Sequence, residues 1–239
     1  MAISRIADLS DATNRSAASS YTFAIPSAVD GQIYAVNITY RGAADAAVDA
    51  ISGTNGFNGT FVGGVRATDA AAISLTQDFI AAVSGTAGNI VVSFNQSATG
   101  AQIIVDTDPD WTSTTLPQAQ EPGSTTSATS ITPATALDTF ADAGNTTYMG
   151  VAKSVVDTAF VADGSMVMVS LTDEDMGESP GDTVSNSLSL VGQDTTPSAS
   201  WTNNARAVCV AAEVSTTAAG GGGVVVPVFE QTYRRRRAA

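Results

Sequence analysis

The sequence predicts an all-β fold, a sandwich or barrel of antiparallel strands, and three observations carry that prediction. Alanine, threonine, serine, glycine and valine are abundant and only 14% of the residues are charged; small and β-branched residues favour strands and turns over helices. The apolar runs are short, and each is bounded by glycine, asparagine, aspartate or serine, the pattern of strands separated by turns. Those runs recur at the close spacing of sandwiches and barrels. With 239 residues, the chain can form one large β domain or two small ones, and either way it can bury a core.

Residues 1–20 are polar and rich in alanine and serine, and they read as an extended N-terminal arm with one short helical turn. The body, residues 21–215, opens with Tyr21-Thr-Phe-Ala-Ile25, which alternates apolar and small side chains up to Pro26, and Val29-Asp-Gly31 supplies a turn. Over residues 33–40 a period of two places Ile33, Ala35, Asn37 and Thr39 on one face. Tyr34, Val36, Ile38 and Tyr40 fall on the other, and that more apolar face is expected in the core. Asn55-Gly56-Phe57-Asn58-Gly59 suits positive φ and predicts a hairpin turn. Further strands are expected over 61–65, 73–79, 90–94 and 102–105. The alanines of residues 69–82 also permit a short helix, but their helical stripe is weak, so strand is preferred.

Residues 107–136 are rich in threonine, serine and proline (Pro109, Pro117, Pro122, Pro133) and read as a long loop. Strands resume over 147–152, 155–161, 166–171, 185–191, 199–201 and 205–214. Met166-Val-Met-Val-Ser-Leu171 is almost wholly apolar, so it is expected to be buried on both faces. Cys209, the one cysteine, sits in Ala-Val-Cys-Val-Ala-Ala, where it reads as a small buried hydrophobe.

The remaining residues, 216–239, form a C-terminal arm with three parts. Four glycines (220–223) make a hinge that can depart sharply from the body. Val224, Val225, Val226, Val228 and Phe229 then form a β-prone apolar run, which is a liability in solvent unless another strand pairs with it. Tyr233 and Arg234, Arg235, Arg236 and Arg237 close the chain. The four arginines leave six basic groups against twenty-three acidic ones elsewhere, so body and tail attract each other. Three roles are open to the arginines: gripping an acidic neighbouring subunit, touching packaged nucleic acid, or keeping a free end soluble.

Composition excludes several chemistries. With no histidine and one cysteine that reads as buried, Ser-His-Asp and Cys-His nucleophilic systems and histidine-containing zinc sites are ruled out. A formal charge of −13 repels phosphate, so only the arginine tail is suited to nucleic acid. Two carboxylates could still serve a glycosidase, but twenty-three acidic residues on a solvated surface make pairs by chance, and no enzyme is expected. The acidic loops are Asp106-Thr-Asp-Pro-Asp110 and residues 173–182. Asp106, Asp108 and Asp110 bind calcium if their carboxylates converge; otherwise they are solvated loop acids, and the glycine and distal glutamate of an EF-hand are missing. No other cofactor is expected. Trp111 is either a sugar-stacking aromatic or a pin that holds its loop to the core. The start lacks the apolar core of a signal peptide, and nowhere do eighteen apolar residues run together, so the reading is of a chain made and folded in a cytoplasm without a membrane partner.

Three stretches together resemble the β-sandwich, jelly-roll-like structural proteins of tailed-bacteriophage virions. They are Ile25-Pro-Ser-Ala-Val-Asp-Gly-Gln-Ile-Tyr-Ala-Val-Asn-Ile-Thr-Tyr40, Met166-Val-Met-Val-Ser-Leu171, and Ser200-Trp-Thr-Asn-Asn-Ala-Arg-Ala-Val-Cys-Val-Ala-Ala-Glu-Val214, with the Tyr-Arg-Arg-Arg-Arg ending beside them. The likeness is one of strand style and composition over residues 20–215 and the tail. It implies a jelly-roll-like sandwich and a non-enzymatic virion part (capsid decoration, head-spike, neck or tail-associated), made in the host cytoplasm. Such a part would associate with itself and with other virion proteins. The alternative is a carbohydrate-binding adhesin module of a fibre or spike, with the 107–136 loop presenting Trp111 to a glycan.

Overall fold

A computed structural model describes residues 4–5, 13–14, 17–42, 45–69, 73–154, 160–173 and 186–216. The chain is an antiparallel β-sandwich. The first sheet holds β1 (Ser4–Arg5), β2 (Thr13–Asn14), β3 (Ala18–Ile25), β4 (Ile33–Gly42), β5 (Val48–Gly53), β6 (Val62–Asp69), β7 (Ile73–Ala81) and β8 (Gly88–Thr107). The second holds β9 (Glu121–Ile131), β10 (Thr146–Lys153), β11 (Val161–Ala162), β12 (Val167–Asp173), β13 (Asn186–Gly192) and β14 (Ala199–Val214). Each sheet therefore comes from one half of the chain, and among the named strands the chain passes from one sheet to the other once, between β8 and β9.

Both sheets are organised around one long strand. β8 runs for 20 residues, and one of its sides is lined in turn by β1, β2 and β3. Its other side pairs with β5 through residues 90–94 and with β4 through 98–107. The sequence predicts two separate strands here, over 90–94 and 102–105. The backbone stays extended through 95–97 although the ladders give these residues no partner among the described ones, and Asn95 uses its side chain to fix the neighbouring loop: its Oδ1 accepts the Ala47 N–H at 2.8 Å and its Nδ2 donates to the Asp45 carbonyl at 3.1 Å. β14, at 16 residues, likewise joins two predicted strands and carries β9 on one side and β10 with β11 on the other.

Three apolar layers result. One side of the first sheet wraps a core in which Tyr34, Val36, Ile38 and Tyr40 meet Tyr21, Phe23, Ile90 and Val92. The far side of the second sheet covers Met149, Val151, Leu190, Trp201 and Cys209. Between the sheets lie Ile33, Ala35, Phe79, Tyr148, Ala212 and Val214, with Ala67, Leu75, Ala152, Val208 and Val210 beside them. The predicted core face of β4 is thus in the core, and its other face is buried too, because the second sheet covers it. Cys209 is a buried free thiol whose pKa burial pushes up, as its setting in the sequence predicts. Residues 73–81 are strand, the preferred of the two readings.

Four expectations need correction. β5 and β6 flank the Asn55–Phe57 turn but do not pair with each other: β5 joins β8 and β6 joins β7, so no hairpin forms there, although Asn55 does take a positive φ of 51°. The 107–136 segment is not loop throughout, since β9 lies along β14 with Pro122 at its start, where an edge strand tolerates proline. β12 is not buried on both faces. Among the described residues it pairs with β13 alone at the end of its sheet, a bulge separates Met168 from Ser170, and Val167 and Met168 are 63% and 42% exposed. The described part of residues 1–20 is extended strand, with no helical turn among those residues. Of the predicted 155–161 strand, residues 155–159 lie outside the described residues.

A polar chain crosses the layer between the sheets. Tyr148 donates to the Asp106 carboxylate at 2.8 Å, Asn37 donates to Tyr148 at 2.7 Å, and Gln77 donates to Asn37 at 3.2 Å and to the Val210 carbonyl at 3.0 Å. Gln120 donates in turn to the Gln77 side chain at 2.9 Å. Buried polar groups are tolerated when paired, and such pairing fixes how two surfaces stack. Gly150 makes room for it, because a Cβ there would stand 2.6 Å from the Asn37 Oδ1 and 2.9 Å from its Nδ2. Gly150→Ala is therefore expected to displace the Asn37 amide and to destabilise the protein by about 2 kcal/mol, read as a lower urea midpoint at unchanged m-value.

Candidate functional site

The residues singled out in the sequence fall into two groups. Val224, Val225, Val226, Val228, Phe229, Tyr233 and Arg234 to Arg237 lie outside the described residues. Asp106, Asp108, Asp110 and Trp111 form a corner where the chain leaves β8, and the structure puts that corner to architectural use. Asp106 is buried and takes the Tyr148 hydroxyl. Asp108 closes a turn by accepting the Asp110 N–H at 2.9 Å, and its backbone carbonyl accepts the Gln32 side-chain amide at 2.7 Å and the Trp111 N–H at 3.0 Å. Burial pushes the Asp108 carboxyl above its ordinary pKa.

These three acids do not converge as a calcium site would require. Among the described residues, no group of three or more histidine, cysteine, aspartate or glutamate side chains is placed to hold a metal ion. The physical reason is the end of the strand at Thr107: Asp106, still in β8, points into the layer between the sheets, whereas Asp108 belongs to the turn that follows, so the period of two that would put both on one face is broken. Trp111 is 4% exposed, edge-on to Tyr148 at 5.4 Å and to Phe79 at 6.2 Å between ring centres. No ring face remains for a sugar to stack on, so Trp111 is the pin rather than the platform.

A different region gathers polar groups at a surface. The first sheet curls around its core without closing. β5 is bonded to the first half of β8, while β4, β7 and β6 follow in order from its second half, so β5 and β6 become the two lips of an open seam. Between them runs a groove of about 430 Å³, bordered by Val48, Asp49 and Ile51 on one lip and by Gly64 and Arg66 on the other. Phe61 stands at one side, and Thr76 and Asp78 of β7 form the floor.

The chemistry of that floor is unusual for a sheet interior. Ile73, Leu75 and Phe79 of β7 face the second sheet, while Thr76 and Asp78 point the other way, toward the groove. Asp78 is 5% exposed and burial raises its carboxyl to about 7. The Gly64 N–H donates to this carboxylate and works in the opposite direction. That N–H is aimed by a bulge in which Gly63 and Gly64 take φ of 120° and 73°, values that favour glycine, and the pairing of β6 with β7 shifts by one residue there. Asp78 Oδ2 and Thr76 Oγ1 are buried without a hydrogen-bond partner among the described residues. Arg66 reaches Thr68 and Ser74, both at 3.3 Å, from the adjacent strand.

Thr76 and Asp78 are not among the residues that the sequence singles out. The signal that could have found them is the run Ser74, Thr76, Asp78 at a spacing of two opposite the Gly63-Gly64 pair, that is, polar side chains on one face of a strand whose other face is apolar. Comparison with protein-family models, with curated proteins and with solved structures finds no match to this chain.

Proposed function

We propose that the chain is a non-enzymatic structural component of a bacteriophage virion that works by self-association and by docking its C-terminal arm on a neighbouring subunit or another virion protein. The observation that carries this reading is the apolar rim of the second sheet. Val161, Val167 and Met168 are exposed on β11 and β12, two end strands joined by a short turn. An edge strand with outward apolar side chains is a template for a further strand, and Val224 to Phe229 is a segment of matching character.

The register also supports the reading. Val214 lies opposite Thr146, Thr147 opposite Gly192, and Val191 opposite Val167. The described chain therefore ends at Thr216 on the end of the sheet where Val167 and Met168 sit. The arginines of the tail then add a charged contact with an acidic body, one that salt screens within about 8 to 10 Å at physiological ionic strength.

Truncation after Ala219 tests the proposal, with sedimentation velocity and virion incorporation measured beside the full-length chain at low and high salt. The expected result is a folded protein of unchanged melting temperature that stays monomeric, while the full-length chain associates more weakly as salt rises. If the truncated chain assembles as well as the intact one at every ionic strength, the arm has no docking role.

A further inference from the structure

The open seam between β5 and β6 is built in a way the sandwich does not require. A strand that only packs a core would carry an apolar residue at position 78, and a plain ladder would not need the paired glycines of a bulge. Here Gly63 and Gly64 bend β6 so that one N–H reaches the carboxyl of Asp78, a residue that lines the groove, leaving its Oδ2 buried and unpaired. Thr76 Oγ1, two residues along the same face, is unpaired as well. An unpaired buried polar atom is a penalty in the empty protein. A ligand that supplies the missing partners removes it.

We propose that this seam is a binding site for a neutral saccharide, held by Asp78 and Thr76 on its hydroxyls and by Phe61 with Val48 and Ile51 on its apolar face. Four features of the groove select that class. Its volume of about 430 Å³ falls in the range of small-ligand sites. Its lining divides into an apolar side and a polar side, and a sugar ring has both a C–H face and a hydroxyl rim. Adjacent hydroxyls donate to a carboxylate and accept from a guanidinium or a threonine hydroxyl, which are the groups that Asp78, Arg66 and Thr76 offer. Asp49 offsets the Arg66 guanidinium in the groove, and the chain's net charge of −13 disfavours an anion. The inference does not depend on arm docking, so either can fail without the other.

The test starts from the full-length protein on an array of neutral hexose-containing, sialylated and sulfated oligosaccharides, followed by calorimetric titration with the best-bound neutral one and with a peptide of sequence 224–229. Thr76→Val and Asp78→Asn are the informative variants because both keep shape and neither removes a group on which packing relies. Each is expected to weaken binding by about tenfold or more while the melting temperature stays equal or rises. A purely structural role for these side chains would move stability instead. Phe61→Ala should weaken binding as well. Four results would overturn the assignment: no binding of any neutral saccharide at millimolar concentration; affinity unchanged within about twofold in both polar variants; binding confined to sialylated or sulfated glycans; or saturation of the groove by a peptide of sequence 224–229 with no saccharide bound.

Discussion

Replacing Glu213 by alanine is expected to lower stability by about 3 to 4 kcal/mol, because its carboxylate is a hub for three donors, of which, among the described residues, only the Gln118 amide has a second acceptor, the Asp138 carbonyl at 3.4 Å. Glu213 lies at the end of β14 and is fully buried. It accepts the Gln118 amide at 2.6 Å, the Ala141 N–H at 2.9 Å and the Asn145 amide at 2.6 Å. Two of these donors extend the network further: Gln118 Oε1 accepts the Asp138 N–H at 2.6 Å, and Asn145 Oδ1 accepts the Thr216 N–H at 3.4 Å. One side chain thus ties the loops on either side of β9 to the end of the sandwich. Glu213→Gln keeps the shape but turns one acceptor into a donor facing other donors, so about half of the loss should remain. Urea unfolding followed by circular dichroism measures both. An alanine variant within about 1 kcal/mol of the parent would show that water replaces the carboxylate without penalty and that the loops are held by something else.

The second large effect concerns Asp78 and has the opposite sign. Its folded pKa of about 7 stands above its ordinary 3.8, so the folded state keeps a proton that the unfolded chain has released. The folded state therefore binds more protons between those values, and stability falls as pH rises through that window. Above about pH 7 the whole penalty applies, on the order of 4 kcal/mol from about 1.4 kcal/mol per unit. Asp78→Asn cannot ionise and can still accept the Gly64 N–H. It should match the parent near pH 4 and exceed it by up to about 4 kcal/mol at pH 8, with Asp49 and Arg66 the charged groups lining the same groove. Melting curves of the two proteins across that range settle the matter: a difference that does not grow with pH would mean the carboxyl is hydrated in the folded state. A residue whose replacement stabilises the fold is one that the fold does not need, and that is the usual mark of a group kept for binding.

Strand existence was legible in the sequence wherever a period of two or a short apolar run was sharp, as in residues 33–40, 73–79 and 205–214, because side-chain alternation is a local property of the backbone. Cys209 and the body's all-β character were legible for the same reason. The partners of each strand were not. The Asn55–Phe57 turn looked like a hairpin, yet β5 and β6 part company there, since pairing is decided by which edges the curled sheet brings together and not by the turn alone. Burial was legible only in part: the apolar face of β4 and Cys209 are buried as expected, but a second sheet also covers the polar face of β4, and the apolar run at 166–171 proved to be an edge.

The same division holds for the candidate sites. Sequence by itself determined which chemistries are absent, since a chain without histidine cannot assemble a histidine-based triad or metal site. It also marked Asp106 to Asp110 and Trp111 as dense in functional groups, but density along the chain does not say which way each group points. Only the tertiary structure turned Asp106 and Trp111 into the packing between the sheets and left Thr76 and Asp78, two unremarkable letters of a strand, facing an open seam. The reason is physical: a site is made by groups that converge from different strands, here β5, β6 and β7, of which β5 and β6 are neighbours in the chain but do not pair. Their convergence depends on sheet curvature, which is set by the packing of the whole core rather than by any one stretch of the chain.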